Sequence, residues 1–132
     1  MIGWLDTNVL VRHLSGDPPA LARRATSLLS SAGHGELLVA DVVTAELVYV
    51  LESVYGLTRP AVAVAVRAVL TFPAVKVVDL DLVLRAVEVY ETDRLDFAEA
   101  YLVASAERSG VGSVVSFDKG LRREQSISWV QP

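Results

Sequence analysis

The 132-residue sequence predicts an α/β fold with a central, mainly parallel sheet covered by helices on both faces. Three observations carry that prediction. Short apolar runs, several rich in valine, alternate along the chain with segments whose apolar positions recur at helical spacing. Glycine, proline and capping residues separate successive segments. Hydrophobic residues make up 52% of the chain, enough for one sizeable core, so a single domain over residues 1–132 is expected.

Ile2 to Leu5 reads as a short buried strand ending at Asp6, with a helix beyond it. Asp17-Pro18-Pro19 forms a turn and a helix start, since proline suits the first helical turn. Between Ala20 and Ser31, Leu21, Ala25, Leu28 and Leu29 recur along the helix, which Gly33-His34-Gly35 breaks. Leu37-Leu38-Val39 is a second strand, and Asp41 caps a helix running to about Val54 and closed by Gly56. Thr58-Arg59-Pro60 opens another helix through about Leu70. The alternation within Ala61–Val66 would also suit a strand, but the Thr-x-Pro start favours a helix. Lys76–Val78 is a strand, Leu80–Glu91 and Phe97–Arg108 are helices, Ser113–Ser116 is a strand, and Ile127–Val130 forms a last edge strand. In such folds ligands collect beyond the carboxyl ends of the strands.

The net charge of −4 provides no whole-protein attraction for nucleic acid, so a polynucleotide would need a local basic patch or metal-screened carboxylates. The absence of cysteine excludes disulfides, thiolate catalysis and cysteine-bound zinc. Met1 to Asp6 lacks the basic flank and long apolar run of a signal peptide. Arg67, Thr71, Pro73 and Lys76 interrupt the richest apolar stretch, Pro60–Val78, so no membrane span is expected and a cytoplasmic protein is the default.

Four separated stretches each bring a carboxylate next to apolar structure: Asp6, Glu46, the Asp96/Glu99 pair and Asp118. Asp6 and Asp118 each end a strand, and adjacent parallel strands would bring them close. Asp6 could instead cap the next helix, although Thr7 can do that too, and Asn8 could orient a carboxylate or water or serve only the turn. Glu46 falls on the helical wheel between Val42 and Val50, with Thr44 and Glu52 marking a more polar side. Burying a lone carboxylate there would be costly unless it were paired or metal-bound; a place at an oligomer surface is the alternative. Asp96 and Glu99, three apart, share a face and match a capping box, a role compatible with holding a metal. Asp93 reads as a solvated or outlying group. Together these acids form an all-oxygen set suited to Mg²⁺, with Mn²⁺ as a substitute. Like charges at one site would raise the carboxylate pKa values unless a cation removed the repulsion. Lys119, Arg122 and Arg123 directly follow Asp118 and could hold a polynucleotide backbone, with Arg12 and His13 as a further rim; each could equally be a solvated side chain. His13 and His34 are too isolated for a histidine metal site.

The stretches Leu5-Asp6-Thr7-Asn8-Val9-Leu10, Ala45-Glu46-Leu47, Asp96-Phe97-Ala98-Glu99-Ala100 and Val115-Ser116-Phe117-Asp118 resemble, in order and over essentially the whole chain, PIN-domain ribonucleases, in particular VapC-type toxins of prokaryotic type II toxin–antitoxin systems. The family's first acid falls on Asp6, its second on Glu46 and its last on Asp118. Asp96 matches the first acid of the third segment, and Glu99 stands where an aspartate is common, leaving open which of the two binds directly. Ser116 replaces a common threonine and keeps a hydroxyl that could position water or phosphate.

The resemblance implies a PIN-like three-layer α/β/α fold and a Mg²⁺-dependent endoribonuclease that hydrolyses RNA with metal-activated water. It also implies a homodimer and a cognate antitoxin, in a heterotetramer or larger assembly, with any operator DNA bound by the antitoxin rather than by this chain. Two rivals remain. A phospho-receiver-like domain would use Asp118-Lys119, but it calls for paired acids after the first strand, where only Asp6 stands. A non-catalytic protein-interaction module would use the acids to bind a basic partner and would need no site-specific Mn²⁺.

Overall fold

A computed structural model describes residues 3–132; Met1 and Ile2, the latter the expected start of the first strand, lie outside the described residues. The architecture is mixed α/β, with parallel strands flanked by helices, and the chain divides into two compact units, one ending at Leu80 and one spanning Asp81–Pro132.

In the first unit, β1 (Gly3–Trp4), β2 (Leu37–Leu38) and β3 (Val75–Lys76) form a parallel sheet in that order. The register sets Gly3 beside Leu37 and Leu37 beside Val75. Its helices are α1 (Thr7–Ser15), α2 (Pro19–Ser31), α3 (Asp41–Ser53) and α4 (Arg59–Leu70). Packing of α1 on α2 and α3, and of α3 on α4, places Leu10, Leu29, Leu47 and Val62 out of water. The ambiguous valine-rich segment is the helix α4. Thr58 accepts a hydrogen bond from the Ala61 amide at 3.4 Å, and Pro60 lies in the first turn, so the start signal outweighs the β-branched run.

The second unit contains all but the first residue of α5 (Leu80–Asp93), together with α6 (Phe97–Ser109), β4 (Ser113–Val115) and β5 (Ser128–Val130). β4 and β5 pair in parallel, with Val114 opposite Trp129. Arg85 of α5 grips Glu107 of α6 with two hydrogen bonds of 2.8 and 3.0 Å, and Tyr90 meets Phe97 edge-on. The expected helices and later strands are present with ends shifted by a few residues, and the strands are shorter than expected. A short 3₁₀ turn, Lys119–Arg123, is an additional element. Among the described residues no helix is long and apolar enough to cross a membrane.

Candidate active site

Asp6 occupies the N-cap position of α1 with an extended backbone (φ −80°, ψ 150°), because β1 delivers the chain directly to the helix. Its carboxylate makes no capping hydrogen bond and is exposed. Asn8 is exposed in the first turn of α1. Thr7, between them, is 3% exposed and its hydroxyl has no partner.

The apolar pattern of α3 conceals which of its faces is buried. Thr44, Leu47, Val48 and Leu51 point inward, while Val42, Glu46 and Tyr49 are exposed. The expected arrangement is therefore inverted: Thr44 lies on the buried side and Glu46 on the open one, so no burial cost has to be offset at Glu46. Thr44 is fully buried and its hydroxyl, like that of Thr7, is unpartnered.

The acids of the second unit are more closely organised. Asp96 caps α6 and forms a complete capping box: its Oδ1 accepts the Glu99 amide at 2.8 Å, and Glu99 Oε1 accepts the Asp96 amide at 3.4 Å. Glu99 Oε2 is buried without a hydrogen-bond partner. Burial, followed by contact with the Asp118 carboxyl and the charge of Asp96, pushes the Glu99 pKa up to about 7. The same contact with Glu99, aided by the Gly120 amide, holds Asp118 below its ordinary value. Of the two acids, Glu99 is therefore the one whose neutral form the surroundings favour, and Asp118 the one whose charged form they favour.

Asp118 itself is exposed and capped in place. Its backbone amide donates to Ser116 Oγ at 2.9 Å, and its Oδ1 accepts the Gly120 amide at 2.8 Å, opening the 3₁₀ turn. A Cβ at Gly120 would stand 3.1 Å from that Oδ1, so the missing side chain gives the carboxylate room.

The cations take different roles. Lys119 is exposed at the start of the turn. The Arg122 guanidinium lies 5.9 Å from the centre of the Trp129 ring. Arg123 donates to the carbonyls of Gly120 and Asp93 at 3.3 and 3.0 Å, which ties it to the protein. Arg12 donates to the Asp17 carbonyl at 3.3 Å and lines a groove of about 550 Å³ with Asn8, Val9, Leu21, Arg24 and Leu28. His13 bonds Thr26 Oγ1 at 2.8 Å and meets Phe72 edge-on, so it belongs to the packing of α1.

A second carboxyl pair was missed by sequence reasoning. Burial and contact with Asp93 push Glu124 up to about 7, and both acids line a small cavity with Thr92, Arg94 and Arg123. The partners are 31 residues apart, and nothing local in the sequence signals their meeting.

Asp6 and Glu46 thus belong to the first unit, and Asp96, Glu99 and Asp118 to the second. Among the described residues β1 pairs with β2 and β4 with β5, so strand pairing does not join the ends bearing Asp6 and Asp118. Among the same residues no group of three or more His, Cys, Asp or Glu could by itself hold a metal ion. The donor chemistry nevertheless fits Mg²⁺, which takes oxygen ligands, often only one or two carboxylates, and keeps several waters. Glu99 Oε2, buried and without a hydrogen-bond partner, is an oxygen of that type.

The PIN domain family model matches residues 4–125, and the chain belongs to that family. This membership supports a nuclease-like, hydrolytic function in a family that includes metal-dependent nucleases, and it is consistent with RNA and antitoxin partners. No curated protein matches the sequence.

Proposed function

We propose that this chain acts as one PIN domain over residues 1–132 and is a Mg²⁺-dependent endoribonuclease, a cytoplasmic toxin of the VapC type restrained by a cognate antitoxin and working as a homodimer. The observation that carries the reading is the Glu99–Asp118 carboxyl pair beside Asp96, in a chain matching the PIN family over residues 4–125. In the second unit Asp96, Glu99 and Asp118 would hold the ion, with water and a substrate phosphate completing its shell, and Asp6 and Glu46 of the first unit are proposed as catalytic acids from the family resemblance. When bound, a divalent ion supplies charge neutralisation and Lewis acidity for in-line attack of water on phosphorus.

The chain's own residues prepare that chemistry. Glu99, raised to about 7 by burial, would have to give up any proton it carries in order to serve as an ion ligand. Asp118, held ionised by the Gly120 amide and Glu99, stays a charged ligand. Ser116 orients the backbone of Asp118, and Asn8 stands beside Asp6 to orient water or phosphate. Lys119 and Arg122, following Asp118, would contact the RNA backbone, while Arg123 secures the turn that presents them; Arg12 in the first unit is proposed separately as an RNA contact.

Cleavage of RNA by the wild-type chain with and without Mg²⁺, compared with Asp6→Asn, tests the reading. Metal-dependent products with 5′-phosphate and 3′-hydroxyl ends, lost in the variant, are expected; equal activity in both proteins would refute it.

A further inference from the structure

We infer that Trp129 is a positioning residue for Asp118, acting through Ser116, and that Arg122 supports it by lying over the indole. The inference rests on the reading of Asp118 as a site acid. β4 ends at Val115, so Ser116 is the first residue past the paired segment, where a strand end ordinarily frays. Here three bonds hold it. Its amide donates to the Val130 carbonyl at 3.0 Å, its carbonyl accepts Trp129 Nε1–H at 3.0 Å, and its hydroxyl accepts the Asp118 amide at 2.9 Å.

The indole therefore grips the residue that fixes the backbone of Asp118. The arrangement closes on itself, because Arg122, over the Trp129 ring, lies in the 3₁₀ turn that Asp118 caps. Trp129 thus touches both the chain entering Asp118 and the chain leaving it. Tryptophan suits the position chemically: its N–H is a donor only, it emerges from the side of a large ring, and the ring's face remains free for a guanidinium. Phenylalanine would keep a face for Arg122 and lose the donor, which separates the two contributions.

Amide hydrogen exchange of the full-length, metal-free chain, followed by NMR, provides a readout independent of cleavage. Trp129→Phe should speed exchange at the Ser116 and Asp118 amides by about fivefold, the loss of one ordinary hydrogen bond, while the α6 amides of Val103 and Ala104 keep their rates. Ser116→Ala should speed exchange at Asp118, and Ser116→Thr should restore it. On the same proteins, Trp129→Phe should weaken Mn²⁺ binding and lower kcat with KM unchanged. Unchanged exchange at Asp118, or acceleration shared equally with α6, would overturn the inference and leave Trp129 a packing residue. If phenylalanine prevents folding, benzothienylalanine at position 129 deletes only the donor and must meet the same criteria. Failure of the wild-type chain to take up Mn²⁺ or cleave RNA would defeat the proposed function, whereas the exchange rates would still decide the role of Trp129.

Discussion

Asp6 and Asp118 hold equivalent places in the two units: each follows a parallel strand and stands at the cap of a helical turn. Only Asp118 is held by its neighbours. Two residues before it Ser116 offers a hydroxyl to its amide, and two residues after it Gly120 offers an unhindered N–H to its carboxylate. The corresponding neighbours of Asp6 are Trp4 and Asn8, and its carboxylate makes no capping bond. A strand end brings an acid to the right part of an α/β fold, but local hydroxyls and amides decide whether it is fixed before any ligand arrives.

The largest expected effect lies in RNA cleavage. Asp118→Asn and Asp6→Asn should each reduce kcat by more than the roughly 10–100-fold typical of residues that only orient metal ligands. Comparable activity after either substitution would place that acid outside the reaction.

The pH response should separate the units next. Glu99 and Glu124, both in the second unit, are raised from 4.5 to about 7, so the folded chain binds more protons than the unfolded chain between those values. Their contribution to stability is complete below about 4.5 and is lost as pH rises towards 7. Urea midpoints of the metal-free protein at several pH values should show this decline, and Glu99→Gln should flatten part of it. A slope unaltered by both Glu99→Gln and Glu124→Gln would show that neither acid titrates as the structure requires.

Removing the caps should give a smaller contrast. Asp118→Ala should lower the denaturation midpoint of the metal-free protein by removing a made cap hydrogen bond, and Asp6→Ala should lower it less, since no such bond is lost. Denaturation of both variants in chelator measures the difference; equal losses would mean that Asp6 is held as firmly as Asp118. The smallest change is expected at Thr44→Val, which removes a buried hydroxyl that has no partner and should leave stability unchanged or raise it by up to about 1 kcal/mol. A clear loss would reveal a hidden partner for that hydroxyl.

Much of this organisation is legible in the sequence. Thr58 and Pro60 mark the start of α4, Asp96 and Glu99 their capping box, and Asp118 its strand end, because each depends on residues within a few positions. The exposed side of α3 is not legible: Val42 and Tyr49 make its outer face nearly as apolar as the face bearing Leu47 and Leu51, so periodicity cannot tell which one packs inward. The 3₁₀ turn is too short to impose a period of its own. Asp93 and Glu124, and likewise Ser116 and Trp129, meet through tertiary folding and leave no mark in local spacing.

Glu99 closes the first turn of α6 with one oxygen, while burial and contact with Asp118 push its carboxyl up to about 7. A single side chain therefore couples the order of a helix end to the charge beside Asp118. Were Glu99 to hold a cation as proposed, drawing it away from the Asp96 amide would work against the winding of α6.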